Sequence, residues 1–299
     1  MMREPTKGII AMVAACMIWG LSSIYYKQLA HVPPIEVLAH RTLWSFAFFA
    51  FVLMVQGRLA LMARALGNRR EVLSIGLAAL FISTNWFVFI TSIQVGRAME
   101  ASLGYYIFPL VAVLLGAIAF RERPGRAQLF AVALALCAVV TLAFGLGVPP
   151  WIALILAVSF GLYGLVKKGL SVGPVVSVTA EVLLLAPVAL VILWLAHSDG
   201  GGTFGTGWRD SALLALSGIL TGSPLILFSY ATRRIALATV GLVQYLNPTL
   251  QFLVATFLFL EPFSIWHGIA FGLIWTALAI YTTASLRQDR AARRAVPRL

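Results

Sequence analysis

Residues 97–126 decide the fold: Arg97-Ala-Met-Glu-Ala-Ser-Leu-Gly-Tyr-Tyr-Ile-Phe-Pro109-Leu, then an apolar run that closes on Arg121-Glu-Arg-Pro-Gly-Arg126. The stretch occurs twice. A shift of 139 positions carries Tyr106 onto Tyr245, Pro109 onto Pro248, Phe120 onto Phe259 and Glu122 onto Glu261. Each copy reads as a hydrophobic helix with a proline in its middle and a carboxylate just past its end. Interrupted hydrophobic helices in corresponding halves point to a transporter's binding site.

Outward from this pair the chain remains apolar. Of its 299 residues, 61% are hydrophobic and 11% charged, whereas a soluble domain is nearer a quarter charged. That composition cannot cover a water-facing surface, so lipid is the expected solvent. About ten windows reach the ~20 apolar residues a span requires. They fall near 7–29, 35–56, 71–95, 99–119, 126–146, 150–169, 174–196, 211–233, 237–260 and 264–285. The apolar run that begins before Val13-Ala14-Ala15-Cys16 continues to Tyr26, too long for a signal segment, and reads as a retained first helix. Cys16 and Cys137 both sit in apolar runs and read as free thiols. His31, His40, His197 and His267 have no metal-ligand spacing, and no cofactor motif is present.

The net charge of +12 does not call for nucleic acid. With the N-terminus in the cytoplasm, all but four of the 22 Lys and Arg residues fall on inner segments, the exceptions being Lys27, Arg41, Arg97 and Arg209. This is the positive-inside pattern, with both termini inside and the basic loops facing an anionic leaflet. A second register, 141 residues, matches Gly20 with Gly161, Leu21 with Leu162, Lys27 with Lys168 and Pro33 with Pro174. The expected fold is therefore an all-α membrane protein of ten helices. Two five-helix repeats, 1–147 and 148–286, precede a basic tail, 287–299. Five is odd, so the second repeat enters from the opposite side, which places a shared site near the midplane and permits alternating access.

Several blocks resemble one family. Trp19-Gly20-Leu21-Ser22, Glu36-Val37-Leu38-Ala39-His40-Arg41, Asn85-Trp86, Glu100-Ala101-Ser102-Leu103-Gly104-Tyr105, Gly161-Leu162-Tyr163-Gly164 and Gln244-Tyr245-Leu246-Asn247-Pro248 are similar to the RarD-like branch of the EamA family, in the drug/metabolite transporter superfamily. The resemblance covers nearly the whole chain. It implies ten helices, a bacterial inner-membrane location and export of small metabolites. Amino acids, aromatic or otherwise neutral, are the leading class, with chloramphenicol-type drugs or facilitated diffusion as alternatives.

Polar side chains within spans are costly unless they face protein or water, so they mark candidate sites. Trp19, Ser22, Ser23 and Tyr26 share one face of the first span, and Glu36, His40 and Trp44 share a face of the second. Arg41 falls off that face and reads as reaching back toward the membrane surface. Asn85 and Trp86 are central in the third span. Ser102, Tyr105, Tyr106 and Pro109 lie in the fourth, Tyr163 in the sixth, and Gln244, Tyr245, Asn247, Pro248 and Gln251 in the ninth. Pro109 and Pro248 free the carbonyls of Tyr105 and Gln244 for substrate or for bending; a static kink is the plain alternative. His40 and Glu181 are the candidates for proton coupling, with ordinary hydrogen bonding, or a Lys167 or Lys168 partner for Glu181, as the competing reading. With no Arg or Lys assigned to the middle of a span, the expected substrate is neutral or zwitterionic. An intramembrane enzyme is disfavoured: the chain has no Gly-x-Ser-x-Gly elbow, no His-Glu-x-x-His motif and no paired catalytic carboxylates.

Overall fold

The computed structural model describes residues 4–121, 124–147, 149–198, 200–235 and 237–295. Glu122, one member of the repeated carboxylate pair, lies outside them. Helices account for nearly all of the described chain: α1 (Glu4–Gln28), α2 (Pro34–Val55), α3 (Leu59–Leu66), α4 (Arg69–Gln94), α5 (Ala98–Phe120), α6 (Arg126–Leu146), α7 (Trp151–Lys168), α8 (Pro174–Ser198), α9 (Trp208–Thr232), α10 (Leu237–Gln244), α11 (Leu246–Leu253) and α12 (Ile265–Ala295). Among the described residues, nine helices are long and apolar enough to cross a membrane.

Local chemistry sets the ends. Pro34 opens α2, where its missing N–H costs nothing. The Asn68 side chain accepts the Arg70 and Glu71 amides at the start of α4. Gly147, at φ 70°, closes α6 in the left-handed conformation that suits glycine.

The structure departs from the sequence expectation in three places. First, α3 is an additional short helix, with Leu59, Met62 and Leu66 on one side and Arg64 on the other. Second, Pro109 lies inside an unbroken α5, as Pro187 and Pro224 lie inside α8 and α9. Packing against neighbours supports these helices through the lost hydrogen bond. Third, the ninth span is divided, and the division falls at Tyr245 rather than at Pro248. Pro248 sits in the first turn of α11, where no amide donor is required. The chain then passes into a π-helical turn, Val254–Leu258, before the left-handed Leu260 at φ 52°.

The bundle packs α5 on α7, α1 on α11, α4 on α7, α1 on α9, α2 on both α8 and α9, α5 on α11, and α6 on α12. Two of these approaches are backbone-close. A Cβ on Gly104 of α5 would lie 2.8 Å from the Ala153 carbonyl of α7, and one on Gly218 of α9 would lie 2.3 Å from the Trp44 backbone of α2. The main apolar core runs through α4, α5, α6, α7 and α12, around Ile90, Leu103, Leu110, Leu142, Leu156 and Ile274.

One end of the bundle is sealed by carboxylates that accept backbone amides from neighbouring elements. Glu36 takes the Thr203 amide at 2.7 Å. Glu100 takes that of Ile152 at 3.1 Å. Glu261 takes those of Ala98 and Met99 at 2.6 and 2.7 Å. The loop between α8 and α9 folds over this end and lays Phe204 against His40, ring centroids 4.9 Å apart.

Candidate functional site

The predicted polar residues separate into two clusters around α5, whose adjacent tyrosines point to different neighbours. On one side Tyr105 donates to Asn85 Oδ1 at 2.9 Å, and Asn85 Nδ2 donates to the Leu156 carbonyl and to Ser159 Oγ at 3.0 and 3.1 Å. Asn85 is buried, and its amide joins α4, α5 and α7. Tyr105 is ringed by Phe89 and Phe160, and Phe160 stacks on Tyr163. Trp86, one residue on from Asn85, is also buried.

On the other side Tyr106 reaches Thr249 of α11 at 2.6 Å. Thr249 Oγ1 donates in turn to the Tyr245 carbonyl, so the tyrosine is the donor of the first bond. This relay ties α5 to the break between α10 and α11. Asn247 Oδ1 accepts from Gln251 Nε2, while Gln251 Oε1 is buried without a partner. Gln244 is half-buried at the end of α10. Pro248 is buried and Pro109 half-buried. Ser102 is turned back on its own helix, donating to the Met99 carbonyl. Trp19 lies apart from both clusters, against Phe228 of α9.

The proton-coupling candidates are far apart in character. Glu181 is fully engaged: Oε1 accepts from Lys167 Nζ and Ser177 Oγ, each at 2.7 Å, and Oε2 accepts from Tyr163 at 3.2 Å. His40 is 4% exposed, stands 4.0 Å from Glu36 and has an unpartnered Nε2.

Arg41 corrects the sequence reading. It does not reach back to the surface. It is 7% exposed, seven residues into α2, or about 10 Å along it. Its guanidinium lies 4.1 Å from the Trp86 ring centroid and 5.6 Å from that of Tyr26. Arg41 stands about 140° around the helix from Glu36, and that side is not a lipid face, because α2 is enclosed by α4, α8 and α9. Its Nε is buried without a hydrogen-bond partner, and among the described residues no carboxylate pairs with it. Cation–π contacts contribute about 0.5–2 kcal/mol, less than the several kcal/mol of desolvation that a buried unpaired ion costs. Arg41 is thus a net charge held at an energetic cost.

A cleft of about 200 Å³ opens at the sealed end, lined by residues that include Arg97, Glu100, Glu261, His267 and Phe271. None of the sequence-predicted site residues lines it. Sequence reasoning missed Phe204 as well as Arg41. A single large ring within the Gly-rich run 200–207 was the available signal.

Comparison with known proteins places this arrangement. A model of the EamA-like transporter family matches residues 6–144. The chain is 40% identical to the uncharacterized transporter YojE of Bacillus subtilis over 295 residues, 97% of this chain and 98% of that one. It is also 40% identical to protein RarD of Streptomyces exfoliatus, covering 97% of this chain and 92% of the relative. The chloramphenicol-sensitive protein RarD of Pseudomonas aeruginosa is 28% identical over 305 residues. A solved crystal structure superimposes with a TM-score of 0.61 at 21% identity, covering 95% of this chain and 99% of that one, which concerns the fold alone. With full-length relatives at this identity, the chain belongs to the EamA family of the drug/metabolite transporter superfamily, in its RarD-like branch.

Proposed function

We propose that the protein exports small metabolites, amino acids foremost, across the bacterial inner membrane by alternating access between two inverted five-helix halves, without acting as an enzyme. The observation that carries the reading is the aromatic and amide cluster of buried Asn85 and Trp86 with half-buried Tyr105 and Tyr163, joined across α4, α5 and α7 in a member of a transporter family. Aromatic rings with a few fixed polar groups suit a small solute with an apolar part.

The packing supports an exchangeable pair of halves. Replacing each span by the one five places on turns α5 on α7 into α11 on α1, and α4 on α7 into α9 on α1. It maps α2 on α8 and α6 on α12 onto themselves. Such a relation is what allows one half to adopt the other's conformation. The division at Tyr245, held by the Tyr106–Thr249 relay, supplies a joint. The lysine and arginine asymmetry favours both termini inside, with the sealed end facing outward.

Counterflow of radiolabelled amino acids in proteoliposomes, with and without a pH gradient, tests this reading. Accumulation that responds to the gradient supports coupling, with His40 the better-placed carrier because its Nε2 is unpartnered. Equal rates reject coupling and leave facilitated diffusion, and no counterflow of any solute rejects transport. A drug-exporting reading draws on the chloramphenicol-sensitive relative; chloramphenicol belongs in the same assay.

A further inference from the structure

We propose that Arg41 takes the carboxylate of the substrate, so that the solutes this protein binds are carboxylic acids, amino acids among them, rather than uncharged drugs. The inference rests on the transport reading for its setting and deepens it by naming the group recognised.

The geometry leaves one edge of the guanidinium available. The guanidinium carbon lies over the Trp86 ring at 4.1 Å from its centroid, with the Tyr26 ring centroid 5.6 Å away. The N–H bonds of the planar group lie in its plane and point sideways, and Nε has no acceptor. A guanidinium's Nε–Nη edge matches the two oxygens of a carboxylate, a fit that a lysine ammonium lacks. Rings that would receive an apolar body stand beside it: Tyr26 meets Phe89, and Phe89 meets Tyr105.

Among the carboxylates whose side chains are described, none is placed to serve as counter-ion. Glu36 is bound to Thr203, Glu100 to Arg97 and Ile152, Glu261 to the start of α5, and Glu181 to Lys167. Asp210 pairs with His31, and Glu4 with Lys7 and Arg234. Glu71 holds Ser171 and lies fifteen residues before Trp86 on α4, about 22 Å away along the helix. Among the described side chains none supplies a matching anion, and the carboxylate of a ligand would. Ser45, one turn beyond Arg41, and Ser23, one turn before Tyr26, also carry buried hydroxyls without partners.

The test uses the full-length protein in detergent and in proteoliposomes. Thermal stabilisation is measured with the proteinogenic amino acids, phenylpyruvate and benzoate, and with the matched primary amides, L-phenylalaninamide and benzamide. At least one carboxylate stabilises the wild type, and its amide binds at least tenfold more weakly. Arg41→Gln and Arg41→Met lose that discrimination, and Arg41→Lys retains part of the affinity. Arg41→Met without ligand melts no lower than wild type, whereas a purely structural stacking role requires it to melt lower. The proposal is overturned if no carboxylate stabilises the wild type, if amides bind as well as acids, or if Arg41→Lys, the variant that keeps the buried charge, and Arg41→Gln both bind as wild type does. Carboxylate binding without counterflow would remove the transport reading and leave Arg41 in place. Counterflow of chloramphenicol undisturbed by Arg41→Gln, with acids inert, would do the reverse.

Discussion

Removing either partner of the Lys167–Glu181 pair destabilises the protein, and removing both restores it. Glu181 is 1% exposed and Lys167 20% exposed at the side chain, with 2.7 Å between the charged atoms. Breaking a buried pair costs about 3–5 kcal/mol, because the surviving charge is uncompensated. Lys167→Met leaves a dry carboxylate held only by the Ser177 and Tyr163 hydroxyls and falls in that range. Glu181→Gln leaves an ammonium that keeps some water, the Ser177 hydroxyl and the Tyr163 ring, so about 2–3 kcal/mol is expected. In Lys167→Met with Glu181→Met both desolvation penalties vanish, and the double variant unfolds within about 1 kcal/mol of wild type. Equilibrium unfolding in mixed micelles, followed by tryptophan fluorescence, completes the cycle. Single effects that add to within about 0.5 kcal/mol would falsify the pairing. A folded double variant that has lost a gradient response present in the wild type would instead make Glu181 a proton carrier and end its assignment as a structural partner.

Gly104→Ala forces a methyl group to 2.8 Å from the Ala153 carbonyl; overpacking of this kind costs about 1–3 kcal/mol, read as a lower unfolding free energy. Tyr106→Phe deletes the donor to Thr249 and costs about 0.5–1.5 kcal/mol, with faster hydrogen exchange at the Thr249 amide beside the α10–α11 break as its local signature. His197 has Leu193 and Phe204 carbonyls at 2.9 and 3.1 Å from its two ring nitrogens, and only the imidazolium can donate to both. The loop 200–207 therefore exchanges more slowly at pH 5.5 than at pH 8.5. The contact is present while the ring is protonated and is lost as pH rises through its titration, and His197→Ala abolishes the difference even though His40 and Glu36 remain nearby. Glu36→Gln weakens the charge-assisted bond to the Thr203 amide and broadens the distance distribution between spin labels at Ala30 and Thr206; an unchanged distribution refutes a closing role for Glu36.

The apolar windows and their order were legible because hydropathy over ~20 residues is a summed signal that tolerates local error. Features of single residues were less so. Leu59, Met62 and Leu66 have the spacing of a one-sided helix, but eight residues among arginines read as a loop. The interruption of the ninth span was visible in Asn247-Pro248, yet its position was not: proline is tolerated in a first turn, so the helix restarts around Pro248 and breaks upstream. Helical arithmetic placed Arg41 on the face away from Glu36 and His40, which is where it lies. The error was to equate that face with the surface, since a sequence does not show how many neighbours enclose a helix.

The three capping carboxylates connect this packing to function. Glu36 belongs to the first half of the chain and holds Thr203 in the second; Glu261 belongs to the second and holds Ala98 and Met99 in the first; Glu100 in the first holds Ile152 in the second. Each bond therefore crosses between halves, and separating the halves at this end would break all of them together. Bonds to charged acceptors contribute about 1.5–3 kcal/mol each when buried, while water at an opened mouth would replace most of what is lost. The balance is then small enough to be shifted by a ligand with a few kcal/mol of preference for one state. A carboxylate beside Arg41 has that property, because it neutralises a charge that costs energy only while the surrounding helices are closed upon it. On this argument the unpaired guanidinium is how occupancy of the site would be felt by the seal above it.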